Sequence, residues 1–197
     1  DLFSFIRPSI LLVSIISLIL IQPDLGASAV IFASALGVLF VAGVPNRQFV
    51  IVFISGLIGI ALLITYVPWR WERIISFVDP WSDPFDKGYQ LTLSLMSIGR
   101  GDWFGVGLGQ SLMKMGYLPD AHTDFIFSIL IEELGLLTGI LIVAMLFGIS
   151  FRVFLIGRHS LQRKNHFGFF FCFGAAILIG LHVFINVGVA TGLLPTN

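Results

Sequence analysis

Long apolar stretches recur along the chain, with short polar punctuation between most of them and one long interruption. Five segments stand out, at residues 8–21, 26–43, 49–67, 124–151 and 167–189. Such runs predict membrane-crossing helices, because a span of hydrocarbon needs about 20 residues of helix. The first is short for that purpose, and the fourth is long enough to tilt or protrude. The short alternating segments of a membrane β-barrel do not occur. The pattern therefore predicts an all-α, polytopic helical membrane protein with one long loop, residues 68–123, between the third and fourth spans.

Composition supports this. The chain of 197 residues is 57% hydrophobic and 11% charged, against a charged share of about 25% in soluble domains. A net charge of zero gives no footprint for nucleic acid. The single cysteine, Cys172, lies in an apolar run and has no partner for an internal disulfide. The chain starts at Asp1 without a signal-peptide layout and stops at "LLPTN", which reads as an internal piece of a longer protein.

Charge sets an expected direction. Arg7, Arg47, Arg152, Arg158, Arg163 and Lys164 fall on one side of the spans, where the only acid is Asp1. By the positive-inside rule that side is cytoplasmic. The long loop is then extracytoplasmic, and its chemistry runs where ATP is absent.

That loop is rich in interface residues. It holds Trp69, Trp71, Trp81 and Trp103 together with Phe77, Phe85 and Phe104, types that suit an aromatic belt at the bilayer surface. "DPWSDPFDKGYQ" (79–90) packs three acids into eight residues but lacks the sixth-position glycine and twelfth-position glutamate of a calcium loop. Its Asp-Pro pairs read first as turns. "GRGDWFGVGLGQS" (99–111) lacks the Lys-Ser ending of a phosphate loop, although its glycines could bring backbone N–H groups close to a phosphate. Arg70, Arg73, Lys87, Arg100 and Lys114 add positive charge. They read as solvated or headgroup-anchoring bases, or as a site for a lipid carrying a phosphate or pyrophosphate.

The acids on the fourth and second segments carry two readings each. Thr123 or Asp124, and Asp24 in "QPDLG", could simply cap helices. Yet Asp124, Ser128 and Glu132 are spaced four apart, which would put them on one helical stripe rising about 12 Å. Polar stripes on membrane helices face a protein interior or a wet cavity. Glu132 and its neighbour Glu133 read either as hydrogen-bonded structural groups or as functional ones lining such a cavity. His182 and Asn186, also four apart, suit helix–helix hydrogen bonds. His122 alone could be a base or a ligand. There is neither a zinc-spaced Cys/His cluster nor a Gly-x-Ser-x-Gly elbow. Three function classes fit these residues: an enzyme acting on a polyprenyl- or phospholipid, a transporter or flippase of such a lipid, and a membrane scaffold for other proteins.

Four motifs narrow the choice. "QPDLG" (22–26), "DPWSDPFDKGYQLTLSLMSIGRG" (79–101), "GVGLGQSLMKMGYLPDAHTDFIFSILIEELG" (105–135) and "NVGVATGLLPT" (186–196) together resemble the SEDS family of cell-wall synthases, in order and over essentially the whole chain. Within it, "GLGQSLMKMGYLPDAHTDF" and "GLLPT" are most similar to the division branch, FtsW, with the sporulation branch close by and the elongation branch, RodA, further off. The resemblance implies an all-helical membrane domain of about ten spans, of which these five are central and later ones, without the N-terminal spans and the last. It implies a peptidoglycan glycosyltransferase of the bacterial inner membrane that polymerises lipid II, a disaccharide-pentapeptide on undecaprenyl pyrophosphate, during cell division. A lipid II flippase and a non-catalytic scaffold of the division machinery are the alternatives. Asp124 matches the family's catalytic aspartate and becomes the candidate general base. Arg70, Arg73 and Lys114 become phosphate-side candidates, and His122, Ser128, Glu132 and Glu133 cavity residues. The resemblance is compatible with a divalent cation, magnesium or manganese, but makes no cofactor certain and assigns no ligands. The expected partners are a single-pass class B penicillin-binding protein, which cross-links the strands, and other division proteins.

Overall fold

A computed structural model of the chain describes residues 2–21, 24–66, 77–86, 88–115 and 123–195. In chain order the helices are α1 (Leu2–Ile21), α2 (Leu25–Val41), α3 (Asn46–Tyr66), α4 (Tyr89–Gly101), α5 (Ile126–Gln162) and α6 (His166–Ala190), with a short 3-10 turn at Met113–Met115. No strand occurs among the described residues. The all-helical class is as expected, but three details differ. The long loop contains α4, whose Leu/Ser/Thr pattern is too polar to read as a span. The fourth segment runs to Gln162 rather than 151, because its apolar pattern continues past the isolated Arg152 and Arg158. The same helix is broken inside by Gly135, at φ 83° and ψ 165°.

Helix ends follow local chemistry. Asp24 caps α2, accepting from Ala27 N at 2.9 Å. Gly43, at φ 75°, closes the other end of α2, with Val44 N reaching back to Leu39 O at 3.3 Å. At the end of α5, Asn165 N bonds to Ser160 O at 3.0 Å, and Asn165 Oδ1 accepts from Gly168 N at 3.0 Å to start α6. The chain reverses there within three residues.

The chain divides into two compact units, residues 1–60 with 149–182 and residues 61–148 with 183–196. In the first, α1 packs on α2, and small residues let helices approach closely. A methyl group on Gly157 would lie 2.8 Å from Cys172 Cβ, and one on Gly174 would lie 3.0 Å from Val38. Ser150 Oγ donates across to Ala176 O at 2.7 Å. The second unit is built around α4, the head of α5 and the end of α6. Its buried centre is Phe125 with Val189, flanked by Leu93, Met113, Ile129, Ile185 and Leu194. After α6, Gly192 (φ 71°) turns the chain, and Leu193 N bonds to Gly188 O at 2.7 Å, which folds Leu194 back into that centre.

A broken helix and its buried carboxylate

Small residues define the inner face of α4. Leu91, Thr92, Ser94, Ser97 and Gly101 are its buried positions, so the helix can lie close to its neighbours. Ser94 Oγ donates to Ala190 O at 2.7 Å. A side chain at Gly101 would collide with Ile131 O and with the Cα of Glu132.

The glycine-rich segment that follows is inserted into the hydrogen-bond ladder of α5. In an unbroken helix Leu136 N and Leu137 N would donate to the carbonyls of residues 132 and 133. Here Leu136 N donates to Asp102 O at 2.8 Å, and Leu137 N to Trp103 O at 3.4 Å. The released carbonyls are taken by the loop: Val106 N donates to Glu132 O at 2.9 Å and Gly107 N to Glu133 O at 3.0 Å. The break therefore leaves these backbone groups paired, the condition for irregular backbone beside a membrane. Backbone runs against backbone so closely that a Cβ on Gly105 would strike Glu133 O, and one on Gly135 would strike Trp103 O. Both residues also need positive φ. The amides of Val106 and Gly107 are thus spent on α5.

Beneath the break lies Glu132, with 0% of its surface exposed. Its Oε2 accepts from Ser111 Oγ at 2.5 Å and from Ser97 Oγ at 3.0 Å. Its Oε1 accepts from Arg100 Nη1 at 2.7 Å and from Leu112 N at 3.2 Å. Hydrogen bonds to a charged group contribute about 1.5–3 kcal/mol each, and this set offsets a desolvation cost of several kcal/mol. Three separate stretches, α4, the segment 111–112 and α5, are joined through one carboxylate. Ser111 Oγ also accepts from Lys114 N at 3.2 Å, seating the 3-10 turn. Glu133, one residue on, holds the Lys114 ammonium at 2.5 Å, a pair whose lysine is one-third exposed.

Asp124 sits half-buried in the turn just before α5. Only Ser128 and Glu132 of the expected stripe are helical; Ser128 Oγ is turned onto Phe125 O at 2.7 Å. The neighbouring Phe125 is 1% exposed in the unit's centre, which fixes the backbone at Asp124. Glu132 is fully buried, and Lys114 is ion-paired with Glu133. Arg70, Arg73 and His122 lie outside the described residues, as do Trp69 and Trp71. His182 and Asn186, expected to bond a neighbouring helix, are exposed instead. "DPWSDPFDKGYQ" forms turns where it is described: Ser82 Oγ bonds to Asp79 O at 2.7 Å, and Gly88 N to Asp83 O at 2.9 Å. Sequence reasoning misses Ser97 and Ser111 and names Arg100 only among the loop's positive charges. The signal for Ser97 is the spacing of small residues at 94, 97 and 101, which marks a close-packed helix face.

A polytopic helical membrane protein with one discontinuous helix, its polar groups gathered at the break, is the class that this fold and site define. The FtsW/RodA/SpoVE family model, described as "Cell cycle protein", matches residues 1–197, and the chain belongs to that family. It is 48% identical over 194 residues to the probable peptidoglycan glycosyltransferase FtsW of Wigglesworthia glossinidia brevipalpis, covering 98% of this chain and 51% of that relative. The FtsW of Aliivibrio salmonicida, named in the same way, is 44% identical over 98% of this chain and 48% of its own length. The chain thus spans about half the length of these curated relatives. Among solved structures it is similar to a chain of a peptidoglycan synthase complex that coordinates polymerization and crosslinking, with a TM-score of 0.68 and 27% identity over 98% of this chain and 52% of that one.

Proposed function

We propose that this chain is the catalytic part of a peptidoglycan glycosyltransferase of the division type, polymerising lipid II at the outer face of the bacterial inner membrane. The observation that carries the proposal is the carboxylate of Asp124, half-buried at the head of α5 beside the anchored Phe125. The naming of the FtsW relatives supports the reaction class. The basic residues Arg47, Arg152, Arg158, Arg163 and Lys164 support a cytoplasmic placement of the opposite ends of the helices.

In this reading Asp124 takes the proton from a sugar hydroxyl of the acceptor. The oxygen attacks the anomeric carbon of the donor, the bond to the pyrophosphate oxygen breaks, and the lipid pyrophosphate leaves. Positive charge from Lys114, Arg70 and Arg73 stabilises that leaving group. Energy comes from breaking the bond between the anomeric carbon and its good leaving group, the lipid pyrophosphate, so no nucleotide is needed. Among the described residues no group of three His, Cys, Asp or Glu side chains converges to hold a metal ion. The polymer is handed to a class B penicillin-binding protein, consistent with the peptidoglycan synthase complex to which the structural relative belongs.

The test uses the full-length protein with its transpeptidase partner, labelled lipid II, and a β-lactam to silence cross-linking. Asp124→Asn, an isosteric change, is expected to abolish glycan polymer while the protein still unfolds cooperatively and elutes as a folded species. Equal polymer from both forms would remove Asp124 from the chemistry. Absence of polymer from both would return the assignment to a lipid II flippase or a scaffold.

A further inference from the structure

The glycine-rich loop carries a feature that the proposed reaction does not use. Its backbone is bound to α5, yet its large apolar side chains point away from protein. Phe104 is 84% exposed and Leu108 76%, and Trp103 and Leu112 are exposed as well. Trp103 and Phe104 cannot drift, because Leu136 N and Leu137 N hold the carbonyls of Asp102 and Trp103. Trp103 O is bonded to Leu137 N at 3.4 Å, and Leu137, Ile140 and Leu141, at the start of the uninterrupted part of α5, are exposed apolar side chains too. Exposed apolar side chains are therefore found on both the loop and the part of the helix to which its backbone is bonded.

The register of that helix says what covers these side chains. Between Glu133 and Arg152 the chain has no charged residue. That stretch, residues 134–151, rises roughly 27 Å as helix, close to the thickness of a bilayer's hydrocarbon core. The break at Gly135 then lies at one edge of the hydrocarbon and Arg152 at the other. An indole and a phenyl ring fixed at the level of Leu136 and Leu137 stand where aromatic belts sit. The loop can enter this zone because Asp102 O, Trp103 O, Val106 N and Gly107 N are all paired with α5.

We infer that Trp103, Phe104 and Leu108 are seated in bilayer lipid, so that the glycine-rich loop fixes the depth of the Glu132–Glu133 pair at the membrane edge. The occupant is the acyl region of the leaflet adjoining the break, and the inference is independent of the proposed reaction.

The test is nitroxide labelling of the full-length protein bound to its partner, in vesicles of phosphatidylethanolamine and phosphatidylglycerol. Phe104→Cys, Leu108→Cys and, as a reference, Gln110→Cys are made in a form whose native cysteines, Cys172 included, are replaced. Gln110 is exposed and polar. Labels at 104 and 108 are expected to collide preferentially with oxygen, at a depth of about 5–10 Å below the headgroup boundary. The label at 110 is expected to favour a water-soluble nickel chelate. Nickel accessibility at 104 and 108 equal to that at 110 would overturn the inference in favour of water. Protection of both labels from oxygen and nickel alike would overturn it in favour of a protein surface. Because all three positions are surface-exposed, unaltered gel-filtration behaviour suffices to show that the variants fold.

Discussion

The two stretches of α5 on either side of Gly135 have nearly the same apolar appearance and are held in different ways. Residues 136–162 form one continuous helix whose neighbours approach through small residues such as Gly157 and Ser150. Residues 126–134 are pinned by named polar bonds: loop amides on their carbonyls, and serines, an arginine and a backbone amide on Glu132. Van der Waals packing tolerates small changes in volume, whereas a buried polar network fails when one partner is removed. The same helix should thus be robust below Gly135 and brittle above it.

The sharpest way to break the comparison is at the junction. Gly135→Ala puts a methyl group into Trp103 O at a φ that L residues rarely adopt. We expect a loss of about 3 kcal/mol or more, read as a large fall in thermal unfolding temperature in detergent. Gly148→Ala in the lower stretch meets open space and should be neutral or stabilising by about 0.5–1 kcal/mol. Equal effects at the two sites would show that the break is not structurally required.

Next in size is the carboxylate. Glu132→Leu preserves bulk but leaves Arg100, Ser97, Ser111 and Leu112 N without their acceptor, an expected cost of about 3–5 kcal/mol. Glu132→Gln keeps two hydrogen-bonding positions and should cost about 1–3 kcal/mol. If leucine were tolerated as well as glutamine, the polar account of the upper stretch would fail. Smallest is Glu133→Gln, which loosens the partly exposed Lys114 pair. Solvent screening limits that loss to about 0.2–1 kcal/mol, and it should shrink further in high salt.

Glu132 and Glu133 lie inside a long apolar run, where charged residues are costly. Charge spacing resolves this: residues 134–151 are long enough to cross the hydrocarbon core alone, so the span does not need the glutamates. "EELG" also ends as helices end, with glycine where a positive φ closes the turn. That stop signal is masked because apolar residues resume at once after Gly135, so periodicity carries the expected helix straight through. The Asp24 cap needed only its own neighbours and was legible directly. The exposure of His182 and Asn186 was not, since spacing along a helix does not say which face meets a partner.

What the sequence determined by itself was of two kinds. Apolar run length dictated helices and membrane spans, and local capping chemistry dictated most of their ends. Four motifs sufficed for the family. Tertiary structure alone decided that the glycine-rich loop enters the ladder of α5, and that Glu132 gathers donors 20 to 35 residues away in the chain. The physical reason is range. Spans and caps are fixed within a few residues, whereas a buried carboxylate is satisfied only by groups that folding brings to it.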